Sequence, residues 1–289
     1  MKKALVTLTI GESFERMFNE LCKVNWQQYC EKFNYELIVL TNPLDTTERA
    51  KKRSPSWQKL LILSQDWAKQ YDRIVWVDAD VIINSKFAYD IIENVPENKV
   101  GAVSAYSIPT REIFNLAIYR LYDSWDKNGV KYVRNLTPQE YYLNRSIPAQ
   151  NIDDVIQAGV FVCSPKYHQE IFEYVYYNYE DTRGNEYNYE NPVLSYELLK
   201  NDKVYWISNR FNFCIAEIMA AFYPDEMLDY KKQPIFIKRV INKLKRLLNI
   251  PIENNQQTAI LKNIYELSIF MHFAGSANLM PLMKDIIKD

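Results

Sequence analysis

An open, mostly parallel α/β sheet flanked by helices is the fold class that this sequence predicts. Three observations point to it. Strand-like and helix-like stretches alternate from the N-terminus. Residues 73–77 (Arg-Ile-Val-Trp-Val) are almost wholly apolar, as in a strand covered on both faces. Apolar residues make up 48% of the 289, enough for a full core.

Residues 4–9 alternate apolar side chains with Thr, the period of a strand. The run is too short and too interrupted for a signal peptide, and no stretch reaches ~18 apolar residues, so a soluble, cytoplasmic protein is expected. Phe14, Met17, Phe18, Leu21 and Val24 recur at helical spacing and predict a helix over 12–33. Residues 35–40 read as a second strand, closed by Thr41-Asn42-Pro43. Ser56 is placed to cap a helix running to about Gln70, with Trp57, Leu60, Leu61 and Leu63 as its apolar set. The third strand, 73–77, is expected at the centre of the sheet. Residues 100–105 form a fourth, 155–164 contain a fifth and 204–207 a sixth. Residues 138–148 are Tyr-rich and helical, and 233–270 read as a helical elaboration towards the C-terminus.

The charge is nearly balanced, with 35 basic and 36 acidic residues, which excludes nucleic acid as the main partner. Cys22, Cys30, Cys163 and Cys214 form no CxxC pair and are expected as buried free thiols. The 22 tyrosines suit sugar surfaces, although partly exposed core is the commoner use of such rings. Lys238, Arg239, Lys243, Lys245 and Arg246 lie among Val240, Ile241, Leu244, Leu247 and Leu248 at helical spacing. Such a segment, 235–250, either lies on an anionic membrane surface or packs on the core with a solvated basic face.

In parallel α/β sheets ligands bind at the carboxyl ends of the strands, and the third strand ends in Asp78-Ala79-Asp80. At a strand-to-turn junction two carboxylates at i and i+2 can converge on one ion. Mg²⁺ and Mn²⁺ take oxygen ligands and bridge carboxylates to nucleotide phosphates. A lone Asp-x-Asp is weak evidence, but placing two acids at the end of an apolar strand is costly unless a cation compensates. His272 ends a second apolar run, and imidazole is accepted by Mn²⁺. Gly275 after it lets backbone approach a pyrophosphate closely. His168 reads as an ordinary helix-start residue.

Residues 73–84, Gln157-Ala158-Gly159-Val160-Phe161-Val162 and His272-Phe273-Ala274-Gly275 occur in the order seen in retaining glycosyltransferases of the GT-A fold. The likeness is to the glycogenin and lipopolysaccharide-galactosyltransferase group, and it spans most of the chain. It implies a GT-A, Rossmann-like mixed sheet in a single domain, 1–289. Residues 1–105 would bind nucleotide, 106–232 donor sugar and acceptor, and 271–289 would carry the metal-binding His and a tail. Asp78 and Asp80 would hold Mn²⁺ or Mg²⁺ with His272 as third ligand, Asp78 also touching the donor. Lys59 would face the donor, as would Ala79. Gln157, Ala158 and Gly159 would line the donor sugar, and Glu190 and Asn191 would stand beside its anomeric carbon. Thr7, Thr9 and Gly11 would close on the nucleotide base, and Gly275 on the phosphates. The family's Lys after His-x-x-Gly is replaced here by Asn278, with Lys284 or the 238–246 run as possible substitutes.

The resemblance implies transfer of a sugar from a nucleoside-diphosphate sugar, a UDP-sugar above all, to a glycan, lipid-linked or protein acceptor, with retention of configuration. An inverting enzyme would need a carboxylate base, for which Asp153 or Asp154 is available. A sugar nucleotidyltransferase is the alternative enzyme class, although the first strand lacks its Gly-rich basic loop. A non-catalytic sugar-binding protein would need no metal ligands.

Overall fold

The computed structural model describes residues 1–129, 134–180, 189–227 and 255–288. The basic segment 235–250 lies outside the described residues, as do Gly184 and most of the expected C-terminal helical elaboration. Among the described residues no helix is long and apolar enough to cross a membrane.

The main sheet comprises β1 (Lys3–Leu8), β2 (Glu36–Leu40), β3 (Arg73–Val77), β5 (Val100–Ser104), β6 (Ile156–Cys163) and β7 (Val204–Trp206), in the order β2-β1-β3-β6-β5-β7. β1 pairs parallel with β2 and β3, and β5 with β7, while β6 runs antiparallel between β3 and β5. The expected mixed α/β sheet is therefore present, and β3 lies inside it with every residue buried. Alternate residues of each strand serve two cores. Leu5, Val75, Val77, Val160 and Val162 pack towards Phe18 and Trp26 on one face. Val6, Ile74, Trp76 and Phe161 pack towards Trp57, Leu60 and Phe172 on the other. Burial of both faces explains why β3 reads as an apolar run rather than an alternating strand.

A second sheet, which the sequence did not announce, consists of β4 (Val81–Ile83), β9 (Phe270–His272) and β8 (Phe213–Cys214) in the order β4-β9-β8. Val81 stands opposite His272 in the antiparallel β4–β9 pair. The turn after β3 is thus tied to residues nearly two hundred positions later.

Two predicted helices take other forms. The helix expected over 12–33 is two helices, α1 (Glu12–Leu21) and α2 (Lys23–Phe33), which meet at Cys22. Tertiary contacts set the second direction: Trp26 Nε1 donates to Val81 O (2.8 Å), and Asn25 Oδ1 accepts from Ile83 N (3.0 Å). The helix expected over 56–70 is a pair of 3₁₀ segments, Pro55–Ser64 and Asp66–Gln70, capped by Ser54 rather than Ser56. Trp57 through Leu63 are all buried, including Gln58 and Lys59. A segment enclosed on all sides answers to its neighbours more than to α-helical propensity, and 3₁₀ runs of this length are uncommon.

The remaining helices include α3 (Glu48–Lys51), α4 (Arg111–Lys127), α5 (Pro138–Leu143), α6 (Pro165–Asn178), α7 (Asn191–Lys200), α8 (Ile215–Phe222) and α9 (Pro224–Met227). The helix expected over 138–148 is confined to α5. All four cysteines are buried and free, as expected.

Candidate active site

β3 delivers Asp78, Ala79 and Asp80 at its carboxyl end. Asp78 N donates to Gly159 O (2.8 Å), which anchors the turn to β6. Asp80 O accepts from Phe273 N (3.0 Å), which anchors it to the strand end that carries His272. One ligand atom from each of Asp78, Asp80 and His272 lies within 4.8 Å of the others. The three residues singled out in the sequence as metal ligands are thus brought together.

The orientation of His272 is decided by Asn212, at the end of the 3₁₀ segment Asn209–Asn212. Asn212 Nδ2 donates to Gln157 O (3.0 Å), so its Oδ1 faces His272 Nδ1 at 2.7 Å. An amide oxygen can only accept, so Nδ1 carries a proton and donates it. Nε2 is then directed at Asp80 Oδ1, 3.2 Å away. A bare Nε2 lone pair facing a carboxylate would repel it, so the geometry requires a cation between them, either a proton or a metal ion. Without a metal, burial would depress the His272 imidazole, but the Asp80 carboxylate outweighs it and the group is pushed well up. Asp80's carboxyl is correspondingly held below the usual range, against the pull of burial.

Lys59 lies almost out of solvent (2% exposed) in the middle of the 3₁₀ segment. Its Nζ reaches Asp78 Oδ1 (2.9 Å), Glu190 Oε1 (3.0 Å) and Ala158 O (3.1 Å). An ammonium has three N–H groups, and all three are spent on the protein. Burial disfavours the Lys59 charge, yet Asp78 and Glu190 overcompensate and raise its pKa. Asp78 Oδ1 also accepts from Trp76 Nε1 (2.7 Å). Burial raises the Asp78 carboxyl, with Lys59 and His272 opposing. Asp78, Asp80 and Glu190 bring three negative charges and Lys59 one positive, a net of −2 while His272 is neutral. That is the charge a divalent cation cancels.

Glu190, just ahead of α7, is 2% exposed, and its Oε2 has no hydrogen-bond partner among the described residues. Asn191 spends its amide on the protein: Oδ1 accepts from Ala158 N (2.9 Å) and Nδ2 donates to Tyr141 Oη (2.9 Å). The register of β5 on β6 shifts here, Ala102 facing Phe161 but Val103 facing Gln157. Such a bulge re-aims side chains beside a site. Gly159 has a separate reason to be glycine. A Cβ there would stand 2.2 Å from His272 Cε1, so the imidazole ring occupies the space a side chain would need.

Thr7 and Thr9 are buried at the end of β1, on the same sheet edge as Asp78, and Thr7 Oγ1 has no partner among the described residues. Gly11 (φ 97°) and Gly275 (φ 65°) adopt backbone conformations that favour glycine, and no atom of the described residues crowds either. Ala79 O accepts from Cys22 Sγ (3.6 Å). Asp154 is engaged by Ser104 Oγ (2.7 Å) and Val155 N (2.7 Å), while the Asp153 carbonyl accepts from Arg111. Asn278 is exposed, and Lys284 lines a surface cleft with Glu20, Val24 and Gln28. His168 is a buried helix-start residue whose Nδ1 accepts from Ser164 N.

Sequence reading missed Asn212, the residue that turns His272. Its signal was faint: an amide in the otherwise apolar stretch Phe211-Asn212-Phe213-Cys214.

No protein-family model matches the sequence, and no curated protein is similar to it. Among solved structures it is similar to a glycosyltransferase involved in the glycosylation of the major capsid of PBCV-1, with a TM-score of 0.49 and 13% identity over 98% of this chain and 100% of that one. It is also similar to the bifunctional glycosyltransferase WbbM, with a TM-score of 0.45 and 13% identity over 73% of this chain. The match spans only 39% of the WbbM chain.

Proposed function

We propose that the protein is a metal-dependent glycosyltransferase that moves a sugar from a nucleoside-diphosphate sugar to an acceptor hydroxyl. The observation that carries this reading is the convergence of Asp78, Asp80 and His272 in a partly buried cluster of net charge −2, with Nε2 turned into it by Asn212. Oxygen and imidazole ligands together suit Mn²⁺, with Mg²⁺ as the harder alternative. Once bound, such an ion supplies neutralisation of the charge that develops on a leaving diphosphate.

The chain's own residues do the rest. Lys59 has no N–H left for a phosphate, so its part is to hold Asp78 and Glu190 in register across the site. Glu190 Oε2 is the free oxygen that stabilises the oxocarbenium-like anomeric carbon. Asn191 fixes the backbone at Ala158, and Gln157 to Gly159 form the sugar-side wall. Thr7, Thr9 and Gly11 offer the base a buried edge. The acceptor oxygen bonds the anomeric carbon as the bond from that carbon to the diphosphate breaks. The electron pair leaves with the phosphate oxygen, which takes the hydroxyl proton in the retaining course that the sequence resemblance implies. UDP is the nucleotide implied by the same resemblance.

A screen of nucleotide sugars with Mn²⁺ or Mg²⁺, scoring release of the diphosphate, tests this. Release with at least one donor, abolished by a chelator, is the expected result. No release with any donor, together with no metal-dependent nucleotide binding, would sink the proposal. Gly159→Ala is expected to displace His272 and weaken Mn²⁺ binding by about tenfold to hundredfold, the usual cost of disturbing a ligand's support. Calorimetric titration reads it, and an unchanged affinity would remove His272 from the ligand set.

A further inference from the structure

Trp76 stands two residues before Asp78, and strand alternation turns the two side chains to the same face of the sheet. Trp57 and Leu60, which flank Lys59, pack in the same core as Trp76. The indole is fixed there. Trp76 is buried, and its ring lies nearly parallel to that of Phe161, at 18° with centroids 6.4 Å apart. Lys59 Nζ stands 5.5 Å from the centre of the Trp76 ring.

The two oxygens of Asp78 are not equivalent. Oδ1 accepts from Trp76 Nε1 (2.7 Å) and from Lys59 Nζ (2.9 Å). A carboxylate oxygen has about two lone-pair sites, so these two donors fill Oδ1. Among the described residues no donor reaches Oδ2. The Asp78 side chain keeps 29% of its surface open, so Oδ2 is the oxygen left for an incoming group. Lys59 alone would not settle this choice. An ammonium is a point charge on a flexible stem, and this one is shared with Glu190 Oε1 (3.0 Å) and Ala158 O (3.1 Å). The indole N–H is a single donor on a rigid ring, and with the ring stacked its direction is set. Two donors on one oxygen thus hold the Asp78 carboxylate against rotation.

A carboxylate held in this way offers a cation one oxygen. Ca²⁺ takes about six to eight oxygens and accepts both oxygens of one carboxylate, whereas Mg²⁺ demands near-octahedral single-oxygen ligands. Mn²⁺ shares the octahedral preference. We propose that Trp76 is a positioning residue: by occupying Oδ1 together with Lys59, it confines Asp78 to one oxygen and favours Mn²⁺ and Mg²⁺ over Ca²⁺. This role rests on the metal-dependent reading above. Trp76 itself touches neither the ion nor the substrate, and acts through the orientation of Asp78.

Calorimetric titration of the full chain with Mn²⁺ and with Ca²⁺, in the absence of any nucleotide sugar, tests this without turnover. Trp76→Phe keeps a ring against Phe161 and removes the N–H. The wild type is expected to bind Mn²⁺ more tightly than Ca²⁺. In Trp76→Phe the ratio of the two affinities is expected to fall about tenfold to hundredfold, the worth of a hydrogen bond to a charged group. Phe161→Leu removes the neighbouring ring but leaves the N–H, and its ratio is expected to match the wild type. An unchanged ratio in Trp76→Phe overturns the proposal. So does an equal fall in Phe161→Leu, which would trace the effect to packing. A crystal structure of the wild type with Mn²⁺ gives a readout that depends on no variant. Ligation by Asp78 through Oδ2 alone is expected, and ligation through Oδ1 overturns the proposal. A wild type that binds neither ion instead refutes the metal-dependent reading itself, and the role of Trp76 with it.

Discussion

Asp80→Asn is expected to lower metal-dependent diphosphate release by on the order of 10³, with Mn²⁺ affinity falling in parallel. Asn keeps the shape and one oxygen, so the turn between Asp78 and Phe273 N should survive. What disappears is the negative charge that faces His272 Nε2 at 3.2 Å. A metal ion's electrostatic contribution to a transition state is several kcal/mol, which corresponds to about that factor in rate. Steady-state kinetics across a Mn²⁺ titration check it. If saturating Mn²⁺ restored the wild-type rate, Asp80 would serve affinity alone, and full activity at all concentrations would remove it from the site.

Lys59→Met is expected to destabilise the fold by about 3–5 kcal/mol, the usual cost of stranding buried charge by removing one partner. Lys59 is the shared counter-charge of Asp78 and Glu190, and the side chains of Lys59 and Glu190 are each only 3% exposed. Met fills similar volume but leaves two carboxylates facing each other. The sign of the pH dependence follows. While Asp78 is charged the penalty is full. Burial already raises the Asp78 carboxyl and loss of Lys59 raises it further, so as the pH falls Asp78 takes up its proton, its stranded charge vanishes and the gap between variant and wild type narrows. Urea unfolding of the metal-free protein at several pH values measures this. A loss under about 1 kcal/mol, or a gap that widens on acidification, would show that the Lys59 pairing does not hold the site together.

Both expectations depend on features with different visibility in the sequence. β3 was legible because a strand covered on both faces must be apolar along its length, and Arg-Ile-Val-Trp-Val is. Asp78 and Asp80 were legible because acids at the end of such a strand need a reason. His272 stood out because only two histidines occur in the chain and this one closes an apolar run. The helix over 12–33 and the one over 56–70 were misread in form for a common reason. Trp26 on Val81 bends the first, and burial on every side winds the second, and neither constraint is local.

What the sequence by itself determined was the α/β sheet, its buried central strand and the three candidate ligands, since apolar patterning and rare polar interruptions are properties of the chain read one residue after another. What only the tertiary structure decided was how those ligands are aimed. The β4–β9 pairing carries His272 across to the Asp78-Ala79-Asp80 turn, Gly159 leaves room for its ring, and Asn212 turns its Nε2 inward. Lys59 became a buried counter-charge for the same reason. Pairing, clearance and desolvation are relations between residues distant in the chain, and they acquire values only when the chain has folded.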